Sequence, residues 1–302
     1  MNDFLGVFGH TAVDIILRVQ KLPGPNSSMA VENRVTRYGG TGANIAKAAS
    51  DLGVDTRLAS FVGDDFSTEY RRSLEESGVD TSDLLEIEGM KTPTCWIVSD
   101  EDEQQMAFID QGAMEHAPEM DVQERCIDNS EIIHIGTGRP EYYQRVMDYA
   151  VDNGKTIAFD PAQELKYIYE PDIFKEMIAE SDYFFCNEEE LDVAMNHLDL
   201  GDAEMLLDYV DVLIVTKGGD GSVLYMEGDE IDIPPLKPKK IVDPTGAGDA
   251  YRAGFYAGLS RGFEMDECCR FASARASYAL EYHGPQEAVV GWQEVLDRVE
   301  EL

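Results

Sequence analysis

Two spacings of apolar residues alternate along this chain. Short, nearly continuous apolar runs occur at Leu5 to Gly9, Thr56 to Val62, Glu131 to Ile135, Thr156 to Phe159, Asp182 to Phe185 and Val212 to Thr216. Between them lie Ile45 to Leu52, a segment closing at Ser77, Glu141 to Val151, Glu188 to Asn196 and Phe271 to Leu280, which read as helices. Continuous runs are what strands buried on both faces require, and three-to-four spacing turns one face of a helix to the core. Strands alternating with helices predict a parallel sheet with right-handed crossovers and ligands gathered at strand carboxyl ends.

Two regions break that rhythm. Ile15 to Val19 and Met29 to Arg37 alternate apolar and polar residues on either side of the loop Lys21 to Asn26, and Thr94 to Ser99 and Gln105 to Ile109 bracket the acidic turn Asp100 to Glu103. These patterns predict half-exposed strands and a hairpin. Segments of about 14–37 and 92–110 are therefore expected to form a small β-sheet lid, with Gln111, Gly112 and Ala113 returning the chain to the main sheet. No repeat, low-complexity tract or long linker divides the chain, so residues 1–302 are expected to form a single domain.

With 302 residues, 43% of them hydrophobic, the chain can bury one large core. No run approaches the ~18 apolar residues of a membrane helix. The start, Met1-Asn2-Asp3-Phe4, lacks the basic and apolar parts of a signal peptide, and a cytoplasmic location is expected. Five cysteines (Cys95, Cys126, Cys186, Cys268, Cys269) show no metal-ligand spacing and are expected to be buried thiols. Charge changes the picture most: 60 acidic against 24 basic residues give a formal net charge of −36. Such a surface repels nucleic acid and anionic membranes, so neither is expected as a partner. The acids are interspersed among periodic apolar segments, which favours a folded protein working at high salt, as in haloarchaea, over a disordered one. An anionic ligand would then need a metal ion and local backbone N–H groups to offset the field.

The chain offers such N–H groups at Asp243-Pro-Thr-Gly-Ala-Gly-Asp249, where a glycine-rich turn opens a long Ala/Gly-rich helix and Pro244 and Thr245 read as start signals. A helix amino terminus attracts anions, and Asp249 in its first turn would be held ionised. A second glycine cluster, Gly39-Gly40-Thr41-Gly42-Ala43-Asn44, also opens a helix. It lacks the spacing and the downstream acid of a dinucleotide loop. Asn187-Glu-Glu-Glu190 fits either a helix cap or an indirect, water-mediated magnesium site. Thr216-Lys217-Gly218-Gly219-Asp220-Gly221 fits either a hairpin loop or a nucleotide loop. Asp14 follows the first strand and can be a turn residue or a hydroxyl ligand. His134 reads as a satisfied core histidine, Arg139 as either a substrate contact or an ion-pair partner, and His283 as either a ligand contact or a helix-capping group.

Taken in order, Gly-Gly-x-x-x-Asn, Asn-x-x-Glu, Thr-Lys-Gly-x-x-Gly and Asp-x-Thr-Gly-Ala-Gly-Asp resemble the motifs of the PfkB/ribokinase family of sugar and nucleoside kinases over nearly the whole chain. The resemblance implies a ribokinase-like three-layer α/β/α fold, with a mostly parallel central sheet and a β-sheet lid. It implies transfer of the ATP γ-phosphoryl group to a primary hydroxyl, with Asp249 as general base and the N–H groups of Gly246, Ala247 and Gly248 stabilising the transferring group. Asp14, Gly39, Gly40 and Asn44 would hold the acceptor. Asn187, Thr216, Lys217, Gly218, Gly219, Gly221 and Gly248 would bind the nucleotide. Mg²⁺ would be ordered through water by Asn187 and Glu190, with Asp160 assisting, and a K⁺ ion is allowed near Asp243. Details of the motifs are most similar to archaeal members that phosphorylate nucleosides. Ribose, fructose and 2-keto-3-deoxygluconate are the rival acceptors, and a non-catalytic sensor is the rival class, against which the intact Asp249 argues. The exposed lid edge fits a homodimer. Arg252 receives no role from the motifs.

Overall fold

The computed structural model describes residues 3–102 and 104–300. Glu103, expected in the acidic turn of the lid, and residues 1–2 and 301–302 at the chain ends lie outside the described residues. In chain order, β1 (Asp3–Phe8) is followed by β2 (Ala12–Val19), β3 (Val31–Gly39), α1 (Thr41–Asp51), β4 (Thr56–Gly63), α2 (Thr68–Glu76) and β5 (Asp80–Ile87). The hairpin of β6 (Thr94–Ser99) and β7 (Gln105–Asp110) leads into α3 (Glu124–Asp128), β8 (Ser130–Ile135), α4 (Pro140–Asp152) and β9 (Thr156–Phe159). Then come α5 (Pro171–Ala179), β10 (Tyr183–Asn187), α6 (Glu188–Leu198), β11 (Val212–Thr216), β12 (Ser222–Met226) and β13 (Asp229–Ile233). The last elements are α7 (Ala247–Leu259), α8 (Met265–Ala279) and α9 (Trp292–Glu300).

The main sheet has nine strands in the order β13-β12-β11-β10-β9-β8-β1-β4-β5. It is parallel from β11 to β5 and ends in the antiparallel β12–β13 hairpin. Alternate residues of the strands feed two cores, as the pleat requires. Leu5, Val7, Ile132 and Ile214 pack with α1, α2, α7, α8 and α9, whereas Phe8, Ile133, Ile135 and Leu213 pack with α3 to α6. The expected three layers follow. The second sheet, β3-β2-β6-β7, is the lid, with β2 parallel to β6 and antiparallel to β3.

The Ala/Gly-rich run after Asp249 is explained by the contact between α7 and α8. A Cβ at Gly254 would lie 2.7 Å from the Ala272 Cα, and one at Gly258 would lie 3.0 Å from the Cys268 Cα. Small residues let the two backbones approach, and the thiols of Cys268 and Cys269 fill the space between larger side chains. Cys126 and Cys186 are likewise buried, but Cys95, on the lid, is partly exposed.

Three elements depart from the pattern read along the chain. The edge strand β5 has no clean alternation and carries Asp80 and Asp83. Arg57 of β4 draws it in, pairing with Asp3 at 2.7 Å, Asp80 at 2.8 Å and Asp83 at 3.1 Å. The helix α9 is an additional element, laid over α8. Lys239 to Val242, an extended piece ahead of the glycine turn, belongs to neither sheet.

The acidic excess gives the first quantitative expectation. Lowering KCl from molar to ~0.1 M lengthens the screening distance from about 3 to about 10 Å and exposes the self-repulsion of a −36 surface. The melting temperature should fall on that dilution, and one that stays constant would remove the high-salt reading.

Candidate active site

The amino terminus of α7 is built on backbone geometry rather than on a side-chain cap. Gly246 is the N-cap in the left-handed region, φ 78° and ψ 5°, with no capping side chain, so Thr245 does not serve as the cap. A Cβ at Gly246 would collide with Pro285, so the turn requires glycine twice over. The Ala247 N–H closes on the Pro244 carbonyl at 3.2 Å and is therefore occupied. Among the described residues the N–H groups of Gly246 and Gly248 meet no protein acceptor. The anion-binding set expected at Gly246, Ala247 and Gly248 is thus narrowed to its two glycines in this conformation.

Asp249, in the first turn of α7, receives the Asn44 amide N–H at 2.7 Å on its Oδ2. Burial pushes its carboxyl up to about 6, against the Asn44 hydrogen bond and the nearby Arg252 charge, which favour the ionised form. It faces a cavity of about 320 Å³ lined also by Thr41, His134, Asp160, Asn187, Glu190, Thr216, Gly218, Gly248 and Arg252. The strand carboxyl ends of β8 to β11 supply most of this wall, where a parallel sheet collects its ligands.

Arg252 is the charge that makes such an acidic cavity tenable. It lies one turn beyond Asp249, is 5% exposed, and grips Asp160 with two bonds, Nε to Oδ2 at 2.8 Å and Nη2 to Oδ1 at 3.2 Å. Its Nη1 reaches the Gly248 carbonyl at 3.4 Å, and its guanidinium stacks over Phe185 at 5.3 Å. Burial disfavours the charge of Arg252, but Asp160 first and then Glu190 and Asp249 outweigh it and hold the guanidinium protonated. Glu190 is itself pushed up by burial and by the Asp160 charge. His134 donates to or accepts from the Tyr256 hydroxyl at 2.8 Å and is neutral, since burial lowers it to about 4. It is a core histidine whose Nε2, 3.9 Å from Asp160, borders the cavity.

Asn187 and Glu190 form a reciprocal capping box, each side chain bonded to the backbone N–H of the other, at 2.9 and 2.8 Å. The helix-cap reading is realised, and the same two residues line the cavity. Among the described residues no three His, Cys, Asp or Glu side chains converge closely enough to ligate a metal directly. Asp160, Glu190 and Asn187 along one wall fit instead a hydrated Mg²⁺, which keeps several of its waters.

The acceptor side is assembled from the lid and α1. Gly39 has no side chain because Asp14 occupies that space, and Gly40, at φ 91°, brings the backbone against His10 and Ala12. Asp14 is pushed up to about 6 by burial. Its carboxylate lies against Gly39, whose carbonyl accepts from Tyr70 at 2.7 Å, and its charge disfavours ionisation of Asp249. Gln286, from the loop after α8, donates to Asn44 Oδ1 at 2.8 Å. A second chain of contacts joins His10 to Thr137 at 2.8 Å and Thr137 to Thr41 at 2.7 Å.

The remaining expected residues lie further out. Thr216 ends β11 and Gly218, at φ 56°, starts a short turn, both on the cavity. Gly221, at φ 93°, closes the hairpin into β12, and Gly219 is exposed. Lys217 directs its ammonium toward Asp232, 4.0 Å away on β13, and does not line the cavity. Asp243 accepts from the Thr245 N–H at 2.9 Å and the Gly284 N–H at 3.0 Å. Burial works against its ionisation, but these bonds and neighbouring His283 hold the carboxyl below its usual range. Arg139 pairs with Glu141 at 3.4 Å and Glu115 at 3.5 Å. The residues that the motifs left out are Arg252, Gln286, Tyr70 and the His10–Thr137–Thr41 set. Arg252 alone carried a sequence signal, a basic residue within an otherwise apolar helix face.

Residues 2–290 match the family model described as pfkB family carbohydrate kinase. A nucleoside kinase of Methanocaldococcus jannaschii is 38% identical over 293 residues, which cover 97% of this chain and 95% of that protein. One of Methanothermobacter thermautotrophicus is 35% identical, covering 98% and 95%. The crystal structure of the Methanocaldococcus jannaschii nucleoside kinase superposes with a TM-score of 0.93 over 99% of both chains.

Proposed function

Because the chain belongs to the pfkB family of carbohydrate kinases, we propose that it transfers the γ-phosphoryl group of ATP to the primary hydroxyl of a nucleoside. The observation that carries phosphoryl transfer is the position of Asp249: in the first turn of a helix whose glycine N–H groups are free, between an acceptor wall and a cavity containing Arg252. The acceptor hydroxyl lies against Asp249, which takes its proton. Gly246 and Gly248 donate to the transferring group, and Arg252 balances the acids around it. Mg²⁺, when bound, neutralises phosphate charge, and Asp160, Glu190 and Asn187 would hold its water shell. Asp14, Gly39, Gly40 and Asn44 orient the acceptor hydroxyls, and Thr216 and Gly218 on the cavity wall meet the nucleotide.

The lid favours a nucleoside over a free sugar. In the strand register Asp14 is level with Arg37 on β3 and Cys95 on β6. Two residues on, the same face carries Ile16, Val35 and Ile97, level with Ala107 on β7. An apolar row beyond a hydroxyl-binding aspartate suits a flat base attached to a sugar. Nucleoside kinases at 38% and 35% identity support the same acceptor. The exposed Met106, Phe108 and Ile109 on edge strand β7 support a homodimer through the lid, and a monomer mass by light scattering would remove it. Replacing K⁺ by Na⁺ at constant ionic strength tests the cation at Asp243, and unchanged turnover would remove it.

ATP consumption at molar KCl with Mg²⁺, screened over nucleosides, pentoses, hexoses and keto-deoxy acids, tests the reading. Turnover confined to nucleosides is expected, and turnover only on a free sugar would replace the acceptor while keeping the mechanism. Because Asp249 must be ionised and its carboxyl sits at about 6, kcat/KM should fall as the pH drops below that value. A profile flat to pH 5 would exclude Asp249 as the base.

A further inference from the structure

Five groups form one line of hydrogen bonds that ends on Asp249, and their donor and acceptor roles are forced from its far end. The Gly39 carbonyl can only accept, so the Tyr70 hydroxyl, 2.7 Å away, donates to it. With its proton committed, that hydroxyl accepts from Gln286 at 2.6 Å, which must present its amide NH₂ group. The same NH₂ lies 2.8 Å from Asn44, which must answer with its carbonyl oxygen. Asn44 is then left with its NH₂ facing Asp249 Oδ2 at 2.7 Å. Tyr70 is completely buried and stacked on Tyr38, ring centres 4.1 Å apart, so the start of the line is rigid. The loop bearing Gln286 is tied down immediately ahead of it, by Pro285 over Gly246 and by the Gly284 N–H on Asp243.

We propose that Gln286, backed by Tyr70, is a positioning residue that fixes Asn44 as a donor to the Asp249 carboxylate. This rests on the reading of Asp249 as general base. The backbone carbonyl of Gly39 thereby sets the hydrogen-bonding state around the base, through two side chains that do not line the cavity. Other groups also face Asp249: Arg252 on its own helix, Asp160 after β9, Glu190 on α6, Asp14 on the lid and neutral His134 on β8. Among the described residues, the side-chain bonds of Gln286 go to Asn44 and Tyr70 and to none of these groups.

The test is an inversion of polarity at constant shape. Gln286→Glu keeps the size of the side chain but, ionised, can only accept. Asn44 must then turn its NH₂ toward the introduced carboxylate and its oxygen toward Asp249, where two acceptors meet. Gln286→Met removes the bond without reversing it. The Glu variant should lose more kcat than the Met variant, about tenfold more, and should move the acid limb of its pH profile upward by about one unit. Size alone would order them the other way, with the isosteric Glu variant nearer to wild type. That order, or an unmoved acid limb in the Glu variant, would overturn the proposal. Tyr70→Phe releases the start of the line with one atom removed and should also raise the acid limb. It decides the matter if the Glu variant does not fold, and an unchanged limb there counts against the proposal. Asp249→Asn is assayed alongside: near-normal turnover would overturn the base reading itself, whereas its loss combined with a harmless Gln286→Glu overturns only the relay.

Discussion

Asp249→Asn is expected to lower kcat by at least ~10³-fold while leaving nucleoside and nucleotide binding nearly intact. The substitution keeps the shape of the side chain and an oxygen for the Asn44 N–H, which approaches at 2.7 Å. It removes the basic site that takes the hydroxyl proton, an interaction that strengthens only as the reaction proceeds, so the loss should fall on kcat and not on ligand affinity. Binding by calorimetry and single-turnover rates separate the two effects. Retained turnover would end the assignment of Asp249, and with it the kinase mechanism as written.

Arg252→Met should be the most destabilising single change in the site. Arg252 and Asp160 are both buried, at 5% exposure each, and joined by two bonds. Removing one partner strands the other charge, at a typical cost of about 3–5 kcal/mol. The acids Asp160, Glu190 and Asp249 would then face one cavity without a cation, and the acid limb of kcat/KM should move upward, because Arg252 helps keep Asp249 ionised. Denaturant unfolding at fixed KCl, together with the pH profile, checks both outcomes. The double variant Asp160→Asn, Arg252→Met should recover part of the stability but not the activity. If the single variant unfolds like wild type, the pair does not have this role.

The motifs could be read along the chain because each is local. A glycine run that lets backbone N–H groups point outward, and an aspartate in the turn that follows, lie within seven residues at Asp243 to Asp249. The capping box of Asn187 and Glu190 spans a single helical turn, and the residues that cap α6 also line the cavity. Lys217 shows the limit of that approach. It stands in a nucleotide-loop pattern and is one of few basic residues, yet its side chain leans toward Asp232, and the charge inside the cavity belongs to Arg252. Helix periodicity marks Arg252 only as a basic residue on an apolar face; the partner that makes its burial tolerable lies 92 positions away.

By itself, then, the sequence determined the alternation of strands and helices, the two-part division into main sheet and lid, the acidic character of the surface and the glycine turn that opens α7. Each follows from periodicity, composition or backbone freedom over a few residues. The tertiary structure alone decided which side chains meet. Asn44 reaches Asp249 across 205 positions, and Gln286 reaches Asn44 across 242. The edge strand β5 pairs with β4 and is further tied to it by the ion pairs of Arg57 with Asp80 and Asp83, which no alternation along its own sequence announces. Hydrogen-bond polarity and charge compensation depend on distances of about 3 Å between groups far apart in the chain, and only the packed layers bring those groups together.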